Sequence, residues 1–276
     1  MYLRPTTLDE ALDALSAGPA PVLSGGTDFF PALGERPFPP RVLDVTALPE
    51  LAGIAIRDTE IRFGARATWS EITRAPLPPS LRALQQAARE VGSMQVQTRG
   101  TLAGNLCNAS PAADGVPPLL ILDAEVELAS RAGTRREPLA QFIRGSRATT
   151  RRPDELVTAV IVPRTLDAGR SAFLKLGARR FLVISIAMVA ALVEADERGR
   201  VRAARIAVGS CSAVARRLPE LEAALVGHPV RPGLGSIAEE RHCADLAPID
   251  DLRATSAYRR EAALHLVRRA LDACVA

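Results

Sequence analysis

The chain has 276 residues, 47% of them apolar and 24% charged, the balance of a soluble globular protein with room for one large or two smaller domains. Its formal charge of +4 is spread without a run of like sign or a stripe of basic and aromatic residues, which argues against a nucleic-acid partner. The longest apolar run, 181–193, is too short to span a bilayer, the first fifteen residues lack an apolar signal core, and the four scattered cysteines suggest neither a disulfide framework nor an iron–sulfur or zinc site, so a protein of the reducing cytoplasm is expected.

Thr7 and Glu10 have capping-box spacing and open a helix with Leu8, Leu12 and Leu15 on one face. Residues 20–23 read as a short buried strand. The turn that follows, Ser24-Gly25-Gly26-Thr27-Asp28, reads two ways: as a plain strand-to-helix turn, or as a nest of uncovered amides that binds an anion. It is not GxGxxG, and no GxxxxGK[ST] occurs, so Rossmann and P-loop readings fail. Residues 41–45 read as a strand, and 54–57 with 61–65 as a hairpin around Asp58-Thr59. Thr68 and Glu71 form a second capping box, Trp69 reads as core, and a helix is expected from Ser80 to about Val91.

A loop over 92–100 leads to TLAGNLCNASPAAD, 101–114, small and polar almost throughout. A helix is expected from Leu119, a strand pair over 125–128 and 135–139, and an apolar strand over 155–162. The pattern changes near 164–169, where a domain boundary is expected. Beyond it come a strand over 171–177, a long hairpin made of 183–194 and 201–210, and a short helix over 218–226. The terminal helix, 255–275, sets Ala263, Leu264, Val267 and Leu271 against Arg259, Arg260, Arg268 and Arg269.

Groups for direct acid–base or nucleophilic chemistry are scarce. The three histidines lie far apart, and no HExxH, GxSxG or paired-carboxylate pattern occurs. A chain poor in such groups but holding two amide-rich stretches suits a protein that binds a cofactor and lets it do the chemistry. A dinucleotide diphosphate is the anion two such stretches would hold, with Thr27, Thr101 and Asn105 adding side-chain hydrogen bonds. Lys175, the only lysine beside many arginines, reads either as coding bias or as a position that wants a flexible ammonium.

The two stretches resemble the FAD-binding, or medium, subunits of the molybdenum hydroxylases, the family of xanthine dehydrogenase and carbon-monoxide dehydrogenase. The family's AGGTDL stands here as Ser24-Gly25-Gly26-Thr27-Asp28-Phe29, and its TIGGNIxNASPAAD as residues 101–114, with Ala103 where glycine is usual. That alanine is expected to restrict positive φ and shift the turn. LDVTALPEL (43–51), FLKLGARR (173–180) and the terminal helix extend the similarity over essentially the whole chain. Cys107 is expected to be a small buried residue within the second motif.

The resemblance implies an α+β fold: a two-part FAD-binding domain of the vanillyl-alcohol oxidase (PCMH) type over 1–166, with parts 1–53 and 54–166. A smaller α+β domain over 167–276 follows, with an antiparallel sheet and a long terminal helix. It implies FAD contacts from Val22, Leu23, Ser24, Gly25, Gly26, Thr27, Asp28 and Phe29, and from Thr101, Leu102, Ala103, Gly104 and Asn105. Asp114 is expected as a polar contact, Val91 and Val157 as apolar neighbours, and Lys175 as a cofactor-contacting lysine. Molybdopterin and [2Fe-2S] clusters are expected only on large and small partner subunits, with electrons passing through FAD to NAD⁺ or another acceptor. A stand-alone flavin-dependent oxidoreductase of the same fold is the alternative.

Overall fold

The computed structural model describes residues 1–275. The first part is a three-stranded parallel sheet, with β3 (Val42–Asp44) between β1 (Tyr2–Leu3) and β2 (Val22–Leu23). Helix α1 (Leu8–Ser16) starts where the Thr7 hydroxyl accepts from the Glu10 amide, and it buries Ala11, Leu12 and Leu15. Glu10 reaches past Thr7 to the Thr6 amide, so only half of the expected capping box forms. The turn after β2 runs straight into α2 (Phe29–Leu33).

The second part is built on a five-stranded antiparallel sheet. Its strands are β4 (Ile54–Ile56), β5 (Glu60–Gly64), β6 (Glu125–Ser130), β7 (Gly133–Pro138) and, in the middle, β10 (Leu156–Pro163); β8 (Ile143–Gly145) and β9 (Ala148–Thr149) form a small separate hairpin. β10 reads LVTAVIVP and is buried for all but its last residue, as a strand covered on both faces must be. Its one polar side chain, Thr158, donates to Glu127 Oε1 at 2.8 Å.

Six helices pack around this sheet: α3 (Trp69–Arg74), α4 (Arg82–Glu90), α5 (Met94–Arg99), α6 (Leu102–Asn108), α7 (Val116–Leu120) and α8 (Leu139–Phe142). The capping box of α3 forms in full. Two expectations fail here. The loop expected over 92–100 contains α5, capped by the Ser93 hydroxyl on the Val96 amide, and the helix expected from Leu119 begins at Val116 and ends at Leu120; the small, polar stretch from 101 opens α6. Thr101 caps α6 by accepting from the Gly104 amide at 3.1 Å, so this hydroxyl is already used within the chain. Ala103 lies inside the helix, buried and with no positive φ, so a methyl there distorts nothing.

The remaining chain forms a four-stranded antiparallel sheet of β11 (Arg170–Leu176), β12 (Ala187–Ala195), β13 (Val201–Gly209) and β14 (Arg216–Arg217), backed by α9 (Pro219–Leu225) and α10 (Ser256–Val275). Residues 183–186, expected as the start of a strand, lie in the connection before β12. Arg259, expected on the polar face of α10, is buried: it donates to the Ile186 and Ser210 carbonyls and pairs with Asp251 at 2.7 Å. Both terminal nitrogens of the buried guanidinium are hydrogen-bonded in this way, while Arg259 Nε has no partner among the described residues. Two apolar cores result, one under the five-stranded sheet and one between the last sheet and α10. Phe173, Met188 and Leu192 of the last sheet belong to the first core and lock the two halves together.

Candidate functional site

A cavity of about 850 Å³ opens where the turn after β2, the start of α6, strand β10 and strand β11 meet. The two stretches singled out in the sequence face each other across it. Their approach is as close as backbone allows: a Cβ placed on Gly25 would lie 1.9 Å from the Arg99 carbonyl oxygen and 3.0 Å from Gly100 Cα. Gly26 takes φ +75, which L side chains rarely adopt, and a Cβ there would lie 2.8 Å from the Phe30 ring. The two glycines therefore serve different needs, close packing at 25 and backbone conformation at 26.

The α6 side is fixed independently. The Leu102 amide donates to the Ala67 carbonyl at 2.9 Å and the Trp69 amide to the Gly100 carbonyl at 3.3 Å, so 100–102 is tied to the start of α3. At the far end of α6, the Asn108 side-chain amide donates to Asp28 Oδ1 at 2.8 Å, and Arg147 from the β8–β9 hairpin donates to Asn108 Oδ1. Asn108 and Arg147 thus brace the cavity wall, a role read for neither from the sequence. Asn108 lies inside the recognised motif, whereas Arg147 has no local sequence signal.

Of the expected contact residues, Val22, Ser24 to Phe29, Val91, Thr101, Ala103, Gly104, Asn105, Asp114, Val157 and Lys175 line the cavity. Leu23 and Leu102 are buried and do not line it. Trp69, read as core, is buried yet also reaches the cavity wall. Cys107, expected to be buried, is an exposed free thiol on the cavity wall.

At one end of the cavity a polar cluster joins the two halves of the chain. Lys175 Nζ on β11 lies 2.6 Å from Asp114 Oδ2, and Ser185 donates to Asp114 Oδ1 at 2.7 Å. Lys175 also donates to the Glu90 carbonyl at 3.5 Å, the end of α4. Burial pushes the Asp114 carboxyl up from its ordinary value near 3.8, while the ammonium and the hydroxyl pull it back. Ser185 is the polar interruption of the apolar run 181–193, the signal that could have marked it.

The cavity suits a dinucleotide. The glycine backbone after β2 and the start of α6 line one space, with apolar wall from Val91, Leu156 and Val157. Asn105 Oδ1 is buried with no hydrogen-bond partner among the described residues, a polar atom that a bound group would satisfy.

Comparison with known proteins agrees. Residues 1–165 match the family described as the FAD-binding domain in molybdopterin dehydrogenase, and 172–274 match the CO dehydrogenase flavoprotein C-terminal domain. The FAD subunit of nicotinate dehydrogenase from Eubacterium barkeri is 35% identical over 237 residues, 83% of this chain and 80% of that one. The FAD-binding subunit of xanthine dehydrogenase from Escherichia coli O157:H7 is 30% identical, covering 97% of this chain and 91% of that one. In the solved carbon monoxide dehydrogenase of Hydrogenophaga pseudoflava, one chain superposes with TM-score 0.89 at 26% identity, covering 99% of this chain and 96% of that one. The chain is an FAD-dependent oxidoreductase subunit and belongs to the FAD-binding medium subunits of the molybdenum hydroxylase family.

Proposed function

We propose that this chain is the electron-transfer subunit of a complex in which a large molybdopterin subunit hydroxylates the substrate and a small subunit carries [2Fe-2S] clusters. Bound FAD would accept electrons from those clusters and pass them to NAD⁺ or another acceptor, in the cytoplasm. Residues 1–166 would hold the flavin, as parts 1–53 and 54–166, and residues 167–276 would complete the site through Lys175 and Ser185. The observation that carries this reading is the convergence of the Gly25-Gly26 turn and the start of α6 on one cavity.

On this reading, amides from Gly25 to Thr27, with the Ala103 amide at the start of α6, hold the diphosphate, which needs no basic side chain. Asn105 gives and accepts hydrogen bonds at the same end. Val91 and Val157 form apolar wall for the ring system. Asp114 is held by Lys175 and Ser185, so its free lone pairs face the ligand while its charge stays compensated. The buried carboxylate and ammonium of the cavity, Asp114 and Lys175, already pair with each other, which favours holding and tuning a cofactor over acid–base work.

Purified chain is expected to show flavin absorbance with one FAD per polypeptide, and to co-purify with the large and small subunits. Reducing the complex with its substrate should bleach the flavin. Flavin in a chain that has no partners and turns over a substrate alone would favour the stand-alone oxidoreductase.

Two substitutions test the ligand end. Gly26→Val should leave the chain largely without FAD, because valine resists positive φ and its methyls would meet Phe30; flavin occupancy after purification measures this. Asn105→Leu should weaken FAD about ten-fold, the equivalent of one hydrogen bond of about 1–1.5 kcal/mol. An unchanged dissociation constant by flavin-fluorescence titration would remove Asn105 from the site.

A further inference from the structure

A second cleft lies beside the first, on the other side of Lys175. It is bounded by the end of α4, the end of β11 and the C-terminal half of α10, and its charged lining is Arg89, Lys175, Arg179, Arg180 and Arg269 against Glu90 alone. Arg89, Arg180 and Arg269 are exposed and make no ion pair among the described residues; Arg180 lies over the Phe181 ring at 5.1 Å. Arg179 donates to the Leu182 carbonyl at 3.1 Å and holds the connection between β11 and β12. That connection exposes Phe181, Leu182 and Ile184 by 53, 54 and 51%. Leu182 and Ile184 line the first cavity, so their exposure belongs to that site, and Phe181, under Arg180, is the apolar side chain of this segment left beside the second cleft.

The floor of the cleft is a strand edge. β11 is the outermost strand of its sheet and pairs only with β12. Its outer edge is covered at first: Ser171 Oγ accepts from the Ala83 amide at 2.8 Å and Gln86 Oε1 accepts from the Phe173 amide at 2.7 Å. Antiparallel alternation then turns the Lys175 amide to the same outer side as Phe173, and Gly177, just past the end of the strand, also lines the cleft. Helix α4 ends at Glu90, whose carbonyl the Lys175 side chain reaches, so α4 covers the edge no further. An open edge is a template for a further strand.

We infer that this cleft docks an extended, acidic segment of a partner subunit, which adds to the edge of β11 at Lys175 while its carboxylates meet Arg89, Arg180 and Arg269. Charge complementarity selects an acidic partner, and the strand edge selects an extended peptide over a small anion. The inference rests on the multisubunit reading above. It places the docked segment against the strand whose Lys175 side chain reaches into the flavin cavity, so that docking and the flavin environment share one residue.

The test co-expresses tagged chain with the large and small subunits of its complex. Arg180→Glu/Arg269→Glu, two exposed changes outside the flavin site, should weaken partner binding at least about ten-fold and flatten its salt dependence. Flavin content should stay unchanged, and Arg180→Lys/Arg269→Lys should retain binding. Hydrogen exchange in peptides covering 173–178 should slow on assembly in the wild type. The inference is overturned if the charge reversal leaves affinity unchanged, if the 173–178 amides exchange alike in free and assembled chain, or if NAD⁺ alone reproduces the protection. A wild-type chain that binds neither flavin nor partners would overturn the proposed function itself; a flavin-loaded complex indifferent to the charge reversal overturns the docking cleft alone.

Discussion

Gly25→Ala is expected to yield a folded chain that purifies without flavin. The added methyl has no room: its carbon would fall 1.9 Å from the Arg99 carbonyl oxygen and 2.6 Å from the Arg99 carbonyl carbon, both backbone atoms. No rotamer relieves this, so either the turn after β2 or the chain entering α6 must retreat. The second is tied to the start of α3 by the Leu102 and Trp69 amides, so the turn moves. Its amides then no longer face the cavity alongside the start of α6. Overpacking of this kind costs about 1–3 kcal/mol, and each 1.4 kcal/mol taken from ligand binding is ten-fold in affinity. A loss of FAD affinity of about ten- to hundred-fold is the expected result, read as the flavin-to-protein absorbance ratio. Gly145→Ala is the control: a Cβ there meets nothing within 4 Å and its φ is ordinary, so flavin content should not change. Full occupancy in Gly25→Ala would show that the close approach of the two stretches is unrelated to the cofactor.

The same contact shows how far the residue order alone could lead. The strand-and-turn grammar was readable: the hairpin around Asp58-Thr59, the pair that became β6 and β7, and the long terminal helix all form. So was the pairing of two small-residue stretches around one ligand, because glycine has few uses other than positive φ and close backbone approach. Helices α5 and α6 were not readable as helices. They run for six and seven residues, too short to show a periodic face, and α6 contains a glycine and two asparagines, poor helix formers. Their caps at Ser93 and Thr101 supply the initiation that propensity lacks. Arg259 misled for another reason. Helical period placed it with solvent-facing arginines, whereas Asp251 and two carbonyls more than forty residues away give it a buried set of acceptors. The brace of Asn108 and Arg147 and the cluster around Asp114 are likewise non-local: 39 residues separate the first pair, and 61 and 71 separate Asp114 from Lys175 and Ser185. Contacts at that range leave no periodic or spacing pattern in one sequence.

Lys175→Met should be among the most destabilising single changes in the chain, and its cost should shrink as pH falls. Both side chains of the pair are 7% exposed, so removing the ammonium strands a carboxylate in a low-dielectric site. Breaking a buried pair from one side typically costs about 3–5 kcal/mol. The remaining Ser185 hydrogen bond does not replace the charge. Without Lys175, the main force opposing desolvation at Asp114 is gone, and its carboxyl rises further above the ordinary value near 3.8. An acid whose pKa is raised by folding binds more protons folded than unfolded, so its favourable contribution is complete below the unfolded value and is lost as pH rises through the folded one. The variant should therefore lose stability from about pH 4 upward relative to wild type, and the gap between the two should be widest near neutrality. Urea unfolding at pH 5 and pH 7.5 measures this. Adding Asp114→Asn removes the stranded charge and should recover about half or more of the loss at pH 7.5 while flattening the pH dependence. If Lys175→Met loses the same stability at both pH values, and Asp114→Asn recovers none of it, then the two side chains do not act as a coupled pair at the junction of the two halves.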